Sequence, residues 1–179
     1  MKVSVYIATS LDGYIARADG DISWLREAGS SAGQEDYGYG EFFRSVDCMI
    51  LGRKSFETVL SFPTWPYTGK RVIVLTKTLE EIPARVRGRV ELYSGLMKEL
   101  VASLEAEGCR RIYIDGGKII RSFLRKNLLT DITITRIPLL LGEGIRLFGE
   151  TGYDIKLRHI KTKSYESGFV KSTYEFALQ

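Results

Sequence analysis

The 179-residue sequence predicts an α/β fold, in which a mixed, mainly parallel central sheet is flanked by helices and closed by a C-terminal antiparallel hairpin. Short apolar runs without alternation recur through the first two thirds of the chain, as is typical of central parallel strands covered on both faces. Segments with apolar residues at helical spacing lie between these runs, and the last third changes to alternating apolar and polar residues. Strand and helix repetition followed by a hairpin favours one domain over residues 1–179.

The parallel part begins with a β-branched and aromatic strand at residues 3–8, which runs into the loop sequence Thr-Ser-Leu-Asp-Gly. Four further strands are predicted at residues 48–51, 72–75, 90–92 and 112–114. The apolar spacing between them predicts helices at residues 39–46, 56–60, 96–104 and 119–124, with Gly108 as the stop of the third.

The C-terminal third predicts strands with alternating apolar and polar residues. Asp131–Ile137 alternates as a strand with one polar face does, and Ile155 and Leu157 alternate with charged residues. A turn is predicted at residues 166–168, and the positions from Val170 to Leu178 alternate again. A closing hairpin fits this pattern.

Composition excludes several functional classes. With 44% hydrophobic and 27% charged residues, the chain is too apolar and too balanced in charge to be disordered. The net charge of +4 is small and dispersed, so no nucleic-acid partner is expected, although an anionic small ligand fits. Two cysteines and one histidine without metal-ligand spacing predict no disulfide framework and no metal site.

Hydropathy predicts no membrane partner. The longest apolar run, around residues 139–141, is far shorter than the roughly 20 residues of a membrane span. The first ten residues alternate and lack the apolar core of a signal peptide, so a cytoplasmic protein is expected.

Three strand ends carry groups suited to phosphate. Glycine allows a phosphate to approach the backbone, a following helix offers free N–H groups, and lysine or arginine adds charge. A solvated loop or a simple strand-to-helix turn is the alternative at each place. Together the three ends indicate an extended ligand with several phosphates, such as a dinucleotide. The groups are Gly52, Arg53, Lys54 and Ser55, then Thr76 and Lys77, and then Gly116, Gly117 and Lys118.

A Rossmann site is excluded by a different glycine pattern. Gly142 and Gly144 begin a GxG sequence, but Leu147 stands where a third glycine would be. The loop also follows the late alternating strand, where no βαβ unit starts. A bound dinucleotide would therefore use another architecture.

Five segments resemble the dihydrofolate reductase superfamily, and most closely its branch of riboflavin-biosynthesis pyrimidine reductases, in which the reductase is a C-terminal domain, together with small stand-alone relatives. They occur in family order and span roughly residues 3–178. The segments are residues 10–16 (SLDGYIA), 50–57 (ILGRKSFE), 74–77 (VLTK), 114–118 (IDGGK) and 138–144 (PLLLGEG) with Leu147 and Phe148.

The resemblance implies NADPH as the hydride donor. A 2′-phosphate favours a cation where the ribose of NADH would favour a carboxylate, and the Thr76-Lys77 pair offers no acid. By position, Gly52, Arg53, Lys54 and Ser55 would hold phosphates, and Thr76 and Lys77 the adenosine ribose. The resemblance further implies that Gly116, Gly117, Lys118 and Ile119 cover the pyrophosphate and that Ala8 and Ile15 flank the nicotinamide.

The resemblance also supplies candidate residues on the substrate side. Asp36 matches the folate-reductase carboxylate that supports protonation when the sequence is counted back from Gly52, whereas counting forward from Trp24 gives a spacing that is too long. Asp36 is alternatively a helix N-cap or an exposed acid. Asp12 follows the riboflavin branch and is the second catalytic candidate, with a turn cap as its alternative reading.

The remaining substrate-binding candidates are Trp24, Asp115 and Thr135. Trp24 matches the tryptophan of the flexible loop, and Asp115 matches the acid that contacts the substrate ribose in pyrimidine reductases. Thr135 matches a hydroxyl of folate reductases, although its alternation fits sheet packing equally well.

The sequence therefore predicts an NADPH-dependent reductase that transfers a hydride to a small pyrimidine- or pterin-like substrate, similar to 5-amino-6-(5-phosphoribosylamino)uracil reductase. A dihydrofolate reductase and an NADPH-binding module without turnover are the alternatives. The resemblance also implies a homodimer formed through the late strands.

Overall fold

The computed structural model describes residues 1–30 and 35–177, and it confirms the predicted fold class. An eight-stranded sheet has the order β5-β4-β3-β6-β1-β7-β10-β9, and a small second sheet pairs β2 with β8. The strands are β1 (Lys2–Ser10), β2 (Tyr14–Ala16), β3 (Cys48–Gly52), β4 (Arg71–Leu75), β5 (Val90–Tyr93), β6 (Arg111–Asp115), β7 (Asp131–Ile137), β8 (Ile145–Arg146), β9 (Leu157–Ser164) and β10 (Val170–Phe176).

Six neighbouring strands of the sheet run parallel, so their carboxyl ends meet at one edge; in sheet order they are β5, β4, β3, β6, β1 and β7. All five residues of β3 are buried, because this central strand is covered on both faces. The helices are α1 (Ser23–Ser30), α2 (Tyr39–Arg44), α3 (Arg53–Leu60), α4 (Met97–Ala106) and α5 (Gly117–Arg125).

The helices cover the sheet on both faces. Leu104 of α4 and Phe123 of α5 pack in the core on one face. Phe56 of α3 packs in the core on the other face, which α2 also covers through partly buried aromatic residues. A third, smaller core joins Trp24 of α1 to Ile137 and Phe169. This third core lies next to the strand ends that the sequence marks for function.

The predicted hairpin is formed by β9 and β10, and β10 pairs antiparallel with β7. Strand β9 is the edge of the sheet and is exposed along its length. Leu178 lies outside the described residues. The homodimer through the late strands stays a prediction.

Two features of the fold do not follow from the periodicity. Helix α1 lies where the sequence analysis predicts no helix, and strands β2 and β8 have only three and two residues, which is too short for a detectable alternation. Among the helices of the described ranges, none is long and apolar enough to cross a membrane.

Candidate functional site

The predicted phosphate-binding segments lie side by side because their strands are neighbours. In the parallel register Gly52 is opposite Leu75, and Leu51 is opposite Asp115. The ends of β4, β3 and β6 therefore place Thr76, Gly52 and Gly116 along one edge of the sheet. The structure thus brings together the three strand ends that the sequence singles out.

The β3–α3 and β6–α5 connections touch each other, and we call this contact the glycine junction, made of Gly52, Ser55, Gly116 and Ile119. A Cβ atom built on Gly52 would lie 2.7 Å from Cγ1 of Ile119, and one on Gly116 would lie 2.1 Å from Oγ of Ser55. Gly116 also has φ +98°, which a residue with a side chain rarely adopts. Glycine is therefore required here for packing.

The glycine junction presents two helix N-termini that no side chain caps. Gly52 precedes α3 and Gly116 precedes α5, and neither helix has a side-chain hydrogen bond at its N-cap. The first N–H groups of both helices are therefore free to bind an anion. Lys54 and Lys118 are exposed beside them, and Arg53 forms an exposed ion pair of 3.6 Å with Glu57. These groups fit a pyrophosphate.

Ile15, predicted to flank the nicotinamide, packs on the glycine junction. Its Cδ1 atom would lie 2.5 Å from a Cβ atom built on Gly117. This contact joins β2 to the start of α5 and closes one side of the junction.

A small cavity of about 160 Å³ lies beyond the junction, at the ends of β4 and β5. The Oγ1 atom of Thr76 accepts hydrogen bonds from the N–H groups of Thr78 and Leu79, at 3.2 and 3.0 Å, and so shapes the turn. Lys77 is exposed at its rim. The sequence motifs gave no signal for two further lining residues, Tyr93 and Ser94.

A larger cavity of about 360 Å³, here called the aromatic cavity, opens over the ends of β6, β1 and β7. It contains four of the predicted site residues: Ala8, Asp36, Asp115 and Thr135. The remaining lining consists mainly of aromatic and aliphatic side chains, with one glycine. These residues are Tyr6, Ile7, Leu25, Gly29, Tyr37, Tyr39, Tyr113 and Phe169.

Asp115 ends β6 and places its carboxyl group in the aromatic cavity. The side chain is half-buried, and no side chain of the described residues donates a hydrogen bond to it. Burial raises the pKa of Asp115 to about 6, although a backbone hydrogen bond from Gly116 acts in the opposite direction. Burial and the nearby charge of Asp115 raise the pKa of Tyr39 to about 12. Asp115 is thus an acid that can exchange a proton near neutral pH.

Thr135 lies on β7, opposite Ala8 of β1, and is 5% exposed. Its Oγ1 atom is buried and has no hydrogen-bond partner in the described chain. A buried hydroxyl without a partner costs free energy, and Thr135 lines the aromatic cavity, where a ligand could supply the missing partner. Sheet packing alone does not account for this hydroxyl.

Trp24 does not line the aromatic cavity. It is 2% exposed and packs with Ile137 and Phe169, and its Nε1 atom also lacks a partner in the described residues. Its assignment as a substrate contact stays a prediction. The structure places it behind Phe169, which forms part of the cavity wall.

The carboxylate of Asp36 accepts hydrogen bonds from the backbone N–H groups of Gly38 at 2.7 Å and Gly40 at 2.9 Å. These bonds hold the pKa of Asp36 below its usual range, and the nearby Lys171 and Arg44 act in the same direction. The geometry is that of a cap at the start of α2. An ionised cap is a poor proton donor.

Asp12 connects two loops at the strand ends. Its Oδ1 atom accepts a hydrogen bond from the Ser10 hydroxyl at 2.5 Å, and its Oδ2 atom accepts one from the N–H of Gly142 at 2.8 Å. A further bond comes from the N–H of Leu141. These bonds lower the pKa of Asp12, the Ser10 bond most strongly. Asp12 does not line the aromatic cavity, and its hydrogen bonds hold the two loops together.

The carbonyl oxygen of Tyr37 fixes one wall of the aromatic cavity. It accepts hydrogen bonds from the Tyr6 hydroxyl at 2.6 Å, from Lys171 Nζ at 2.5 Å and from the Tyr165 hydroxyl at 3.3 Å. The Tyr37 ring stacks on Phe169, with ring centroids 4.7 Å apart. Sequence reasoning missed these wall residues, and the only available signal was the high density of tyrosines between residues 37 and 39.

Comparison with known proteins finds similar sequences and structures. A family model described as the RibD C-terminal domain matches residues 1–171. The Bacillus subtilis protein YwjB, whose function is uncharacterised, is 36% identical over 166 residues, which are 92% of each chain. A second uncharacterised B. subtilis protein, YyaP, is 24% identical over 188 residues, covering 98% of this chain and 95% of that one.

Solved structures share the fold. A crystal structure from Shewanella sp. PV-4, described provisionally as a riboflavin biosynthesis protein, has a TM-score of 0.92 and 37% identity, covering 99% of this chain and 100% of that one. The Thermotoga maritima deaminase and 5-amino-6-(5-phosphoribosylamino)uracil reductase has a TM-score of 0.71 and 16% identity, covering 98% of this chain and 56% of that one.

Proposed function

The chain belongs to the RibD C-terminal domain family, and from this membership we propose that it is an NADPH-dependent reductase of a small pyrimidine- or pterin-like substrate. The observation that carries the proposal is the arrangement at the sheet edge. Two uncapped helix N-termini at the glycine junction lie beside a cavity that contains the half-buried acid Asp115. A phosphate-binding surface next to an acid is what a dinucleotide-dependent reductase requires.

The residues at the glycine junction fit NADPH. The free N–H groups at the starts of α3 and α5 would hold its pyrophosphate, with Lys54 and Lys118 adding positive charge. Lys77 at the small cavity would bind the 2′-phosphate. When bound, NADPH supplies the hydride. Ala8, which is half-buried on β1, and Ile15 would border the reacting end.

Asp115 is the proposed proton donor. Reduction of a C=N or C=O bond adds a proton as well as a hydride, and a general acid works best when its pKa is close to the working pH. Asp12 and Asp36 are held ionised by their hydrogen bonds, whereas burial raises the pKa of Asp115 to about 6. The Thr135 hydroxyl would orient the substrate ring in the same cavity.

The proposal is tested by NADPH oxidation with a dihydropterin and with an aminopyrimidine. Because protonated Asp115 is required, the rate should fall as the pH rises through about 6. Asp115→Asn should lower kcat by about 100-fold while the dissociation constant for NADPH stays within twofold. Asp36→Asn, a matched change in the same cavity, should lower kcat far less.

A wild-type rate that does not depend on pH between 5 and 8, or an Asp115→Asn variant with full activity, would contradict this role of Asp115. The alternative of an NADPH-binding protein without turnover is favoured by the ionised state of Asp12 and Asp36, since Asp115 is then the one carboxylic acid with a raised pKa among the described residues that line the cavity. NADPH binding without oxidation by any heterocycle would support that alternative.

A further inference from the structure

We propose that the substrate of the aromatic cavity is a flat nitrogen heterocycle that carries N–H donors and no phosphate group. This inference rests on the proposed function and narrows its substrate class. It separates this chain from a reductase of phosphoribosylated pyrimidines, which is what the printed description of the T. maritima neighbour names.

The charge of the cavity lining is the first reason to expect a ligand without phosphate. Among the described residues that line it, the charged ones are Asp36 and Asp115, and both are acids. Residues 31–34, which follow α1 in the sequence, are Ser, Ala, Gly and Gln and supply no cation. A phosphate carries about two negative charges, so the Asp36 carboxylate, and the Asp115 carboxylate above about pH 6, disfavour a phosphorylated ligand.

Two cations, Lys171 and Arg44, act on the Asp36 carboxylate from outside the cavity lining. Lys171 Nζ donates to the carbonyl oxygen of Tyr37 at 2.5 Å and lies behind the wall that Tyr37 forms. Arg44 ends α2 and, like Lys171, acts on the Asp36 carboxylate and lowers its pKa. Neither cation lines the cavity. The exposed cations beside the glycine junction, Lys54 and Lys118, do not line the cavity either.

The walls fit a flat ring. Tyr37 and Phe169 present stacked aromatic side chains to the cavity, and Tyr39, Tyr6 and Tyr113 extend the aromatic surface. Aromatic walls favour planar ligands by offset stacking. The volume of about 360 Å³ is at the low end for ligand cavities. A compact ring system fits such a space better than a nucleotide does.

The polar groups in the cavity match N–H donors. No side chain donates a hydrogen bond to the Asp115 carboxyl, and the buried Thr135 hydroxyl lacks any partner in the described residues. A carboxyl oxygen and a hydroxyl oxygen both accept hydrogen bonds from ring or exocyclic N–H groups. Aminopyrimidines and pterins carry such groups, and a bond to the Thr135 hydroxyl removes the cost of an unpaired buried atom.

The experiment compares two ligands that differ only in the phosphate. Equilibrium dialysis with the full chain and saturating NADP⁺ would measure binding of 5-amino-6-ribosylaminouracil and of its 5′-phosphate, with 6-methyl-7,8-dihydropterin as a third probe. The unphosphorylated pyrimidine should bind at least about tenfold more tightly than its phosphate. Equal or tighter binding of the phosphate would overturn the inference, and so would no binding of any of the three probes.

Binding of NADPH, followed by fluorescence in parallel samples, separates this inference from the proposed function. If NADPH binds and the phosphorylated ligand is preferred, the substrate class is wrong and the reductase proposal stands. If NADPH does not bind, the proposed function fails as well.

A charge variant tests the reason for the discrimination. Asp36→Asn removes a negative charge and keeps one oxygen that can accept the N–H of Gly38 or of Gly40, so the ratio of the two dissociation constants should fall by about threefold. Glu35→Gln is the matched control, because Glu35 is exposed, does not line the cavity, and accepts the N–H of Tyr37 at 3.0 Å through one oxygen, a bond that glutamine can keep. Its ratio should equal that of the wild type. An unchanged ratio in Asp36→Asn would contradict the charge argument and the proposal with it.

Discussion

The binding edge of the sheet has two halves that offer different kinds of groups to a ligand. The glycine junction and the small cavity form the backbone half, and the aromatic cavity forms the side-chain half. At the glycine junction the binding groups are backbone N–H groups at two helix N-termini. Glycine is needed there because a Cβ atom on Gly52 or Gly116 would clash with the side chain of Ile119 or Ser55. In the aromatic cavity the groups are side chains from three strands, two helices and two connecting segments. A backbone site depends on chain geometry and tolerates changes in surface side chains. A side-chain site depends on each residue that contributes to it.

The largest expected effect is a loss of NADPH affinity at the backbone half. In Gly116→Ala the new Cβ atom would lie 2.1 Å from Ser55 Oγ at a φ of +98°, so the β6–α5 connection must move. We expect the affinity for NADPH to fall by about 100-fold, which equals about 2.7 kcal/mol. Fluorescence titration with NADPH measures this change.

The control for Gly116→Ala is Gly108→Ala. Gly108 also has a positive φ, of +87°, but a Cβ atom there would meet nothing within 4 Å. This variant should lose stability from backbone strain and keep its affinity for NADPH. Equal losses of affinity in both variants would show that strain, and not the glycine junction, is responsible.

A second test sharpens the side-chain half. Burial raises the pKa of Asp115 from 3.8 to about 6, so the folded state binds this proton more tightly than the unfolded state does. This proton binding by Asp115 contributes to the free energy of unfolding below pH 4, and the contribution is lost as the pH rises through about 6. Asp115→Asn avoids that loss and should be more stable than the wild type at pH 7.5, by about 2 kcal/mol. Thermal unfolding at pH 4 and pH 7.5 measures the difference.

Asp47→Asn should show the opposite sign. Asp47 accepts hydrogen bonds from the N–H groups of Arg110 and Arg111, at 2.8 and 2.9 Å, and these bonds hold the pKa of Asp47 below its usual range. Its contribution is present above the unfolded pKa and is lost as the pH falls through the folded one. The variant should therefore be less stable than the wild type at pH 7.5. If Asp115→Asn and Asp47→Asn changed the stability at pH 7.5 in the same direction, the burial argument for Asp115 would be contradicted.

The smallest expected effect concerns a surface cation of the backbone half. Lys77 is exposed at the small cavity, so Lys77→Ala should weaken NADPH binding by about fivefold, and NADH binding should not change. Lys126→Ala removes an equally exposed lysine after α5 and should change neither. Dissociation constants for both cofactors provide the measurement. A parallel loss for NADH would show that Lys77 does not bind the 2′-phosphate.

The same contrast explains what the sequence could predict. The strands follow from apolar runs, and the glycine junction follows from short local motifs such as residues 114–118, because backbone sites are encoded by contiguous residues. The aromatic cavity joins residues as distant as Tyr6 and Phe169, and each of its aromatic side chains has the pattern of an ordinary core residue. Asp115 was found through its motif. Its raised pKa depends on burial, which the sequence does not show.

Asp36 and Asp12 illustrate a further limit. In the sequence each is an acid near a predicted strand end or helix, which suits both catalysis and capping. The structure shows that each oxygen of both carboxylates accepts a hydrogen bond from a backbone N–H group. Hydrogen-bond partners separate these roles, and residue type does not.

The triple hydrogen bonding at the Tyr37 carbonyl has a consequence for engineering this protein. The Tyr6, Lys171 and Tyr165 donors hold the main chain at residue 37 without using the Tyr37 side chain. The backbone there has φ +54°, which asparagine and histidine adopt more readily than β-branched residues do. Position 37 is therefore a place where a library of polar and aromatic side chains could alter which molecules enter the cavity while the loop itself keeps its course.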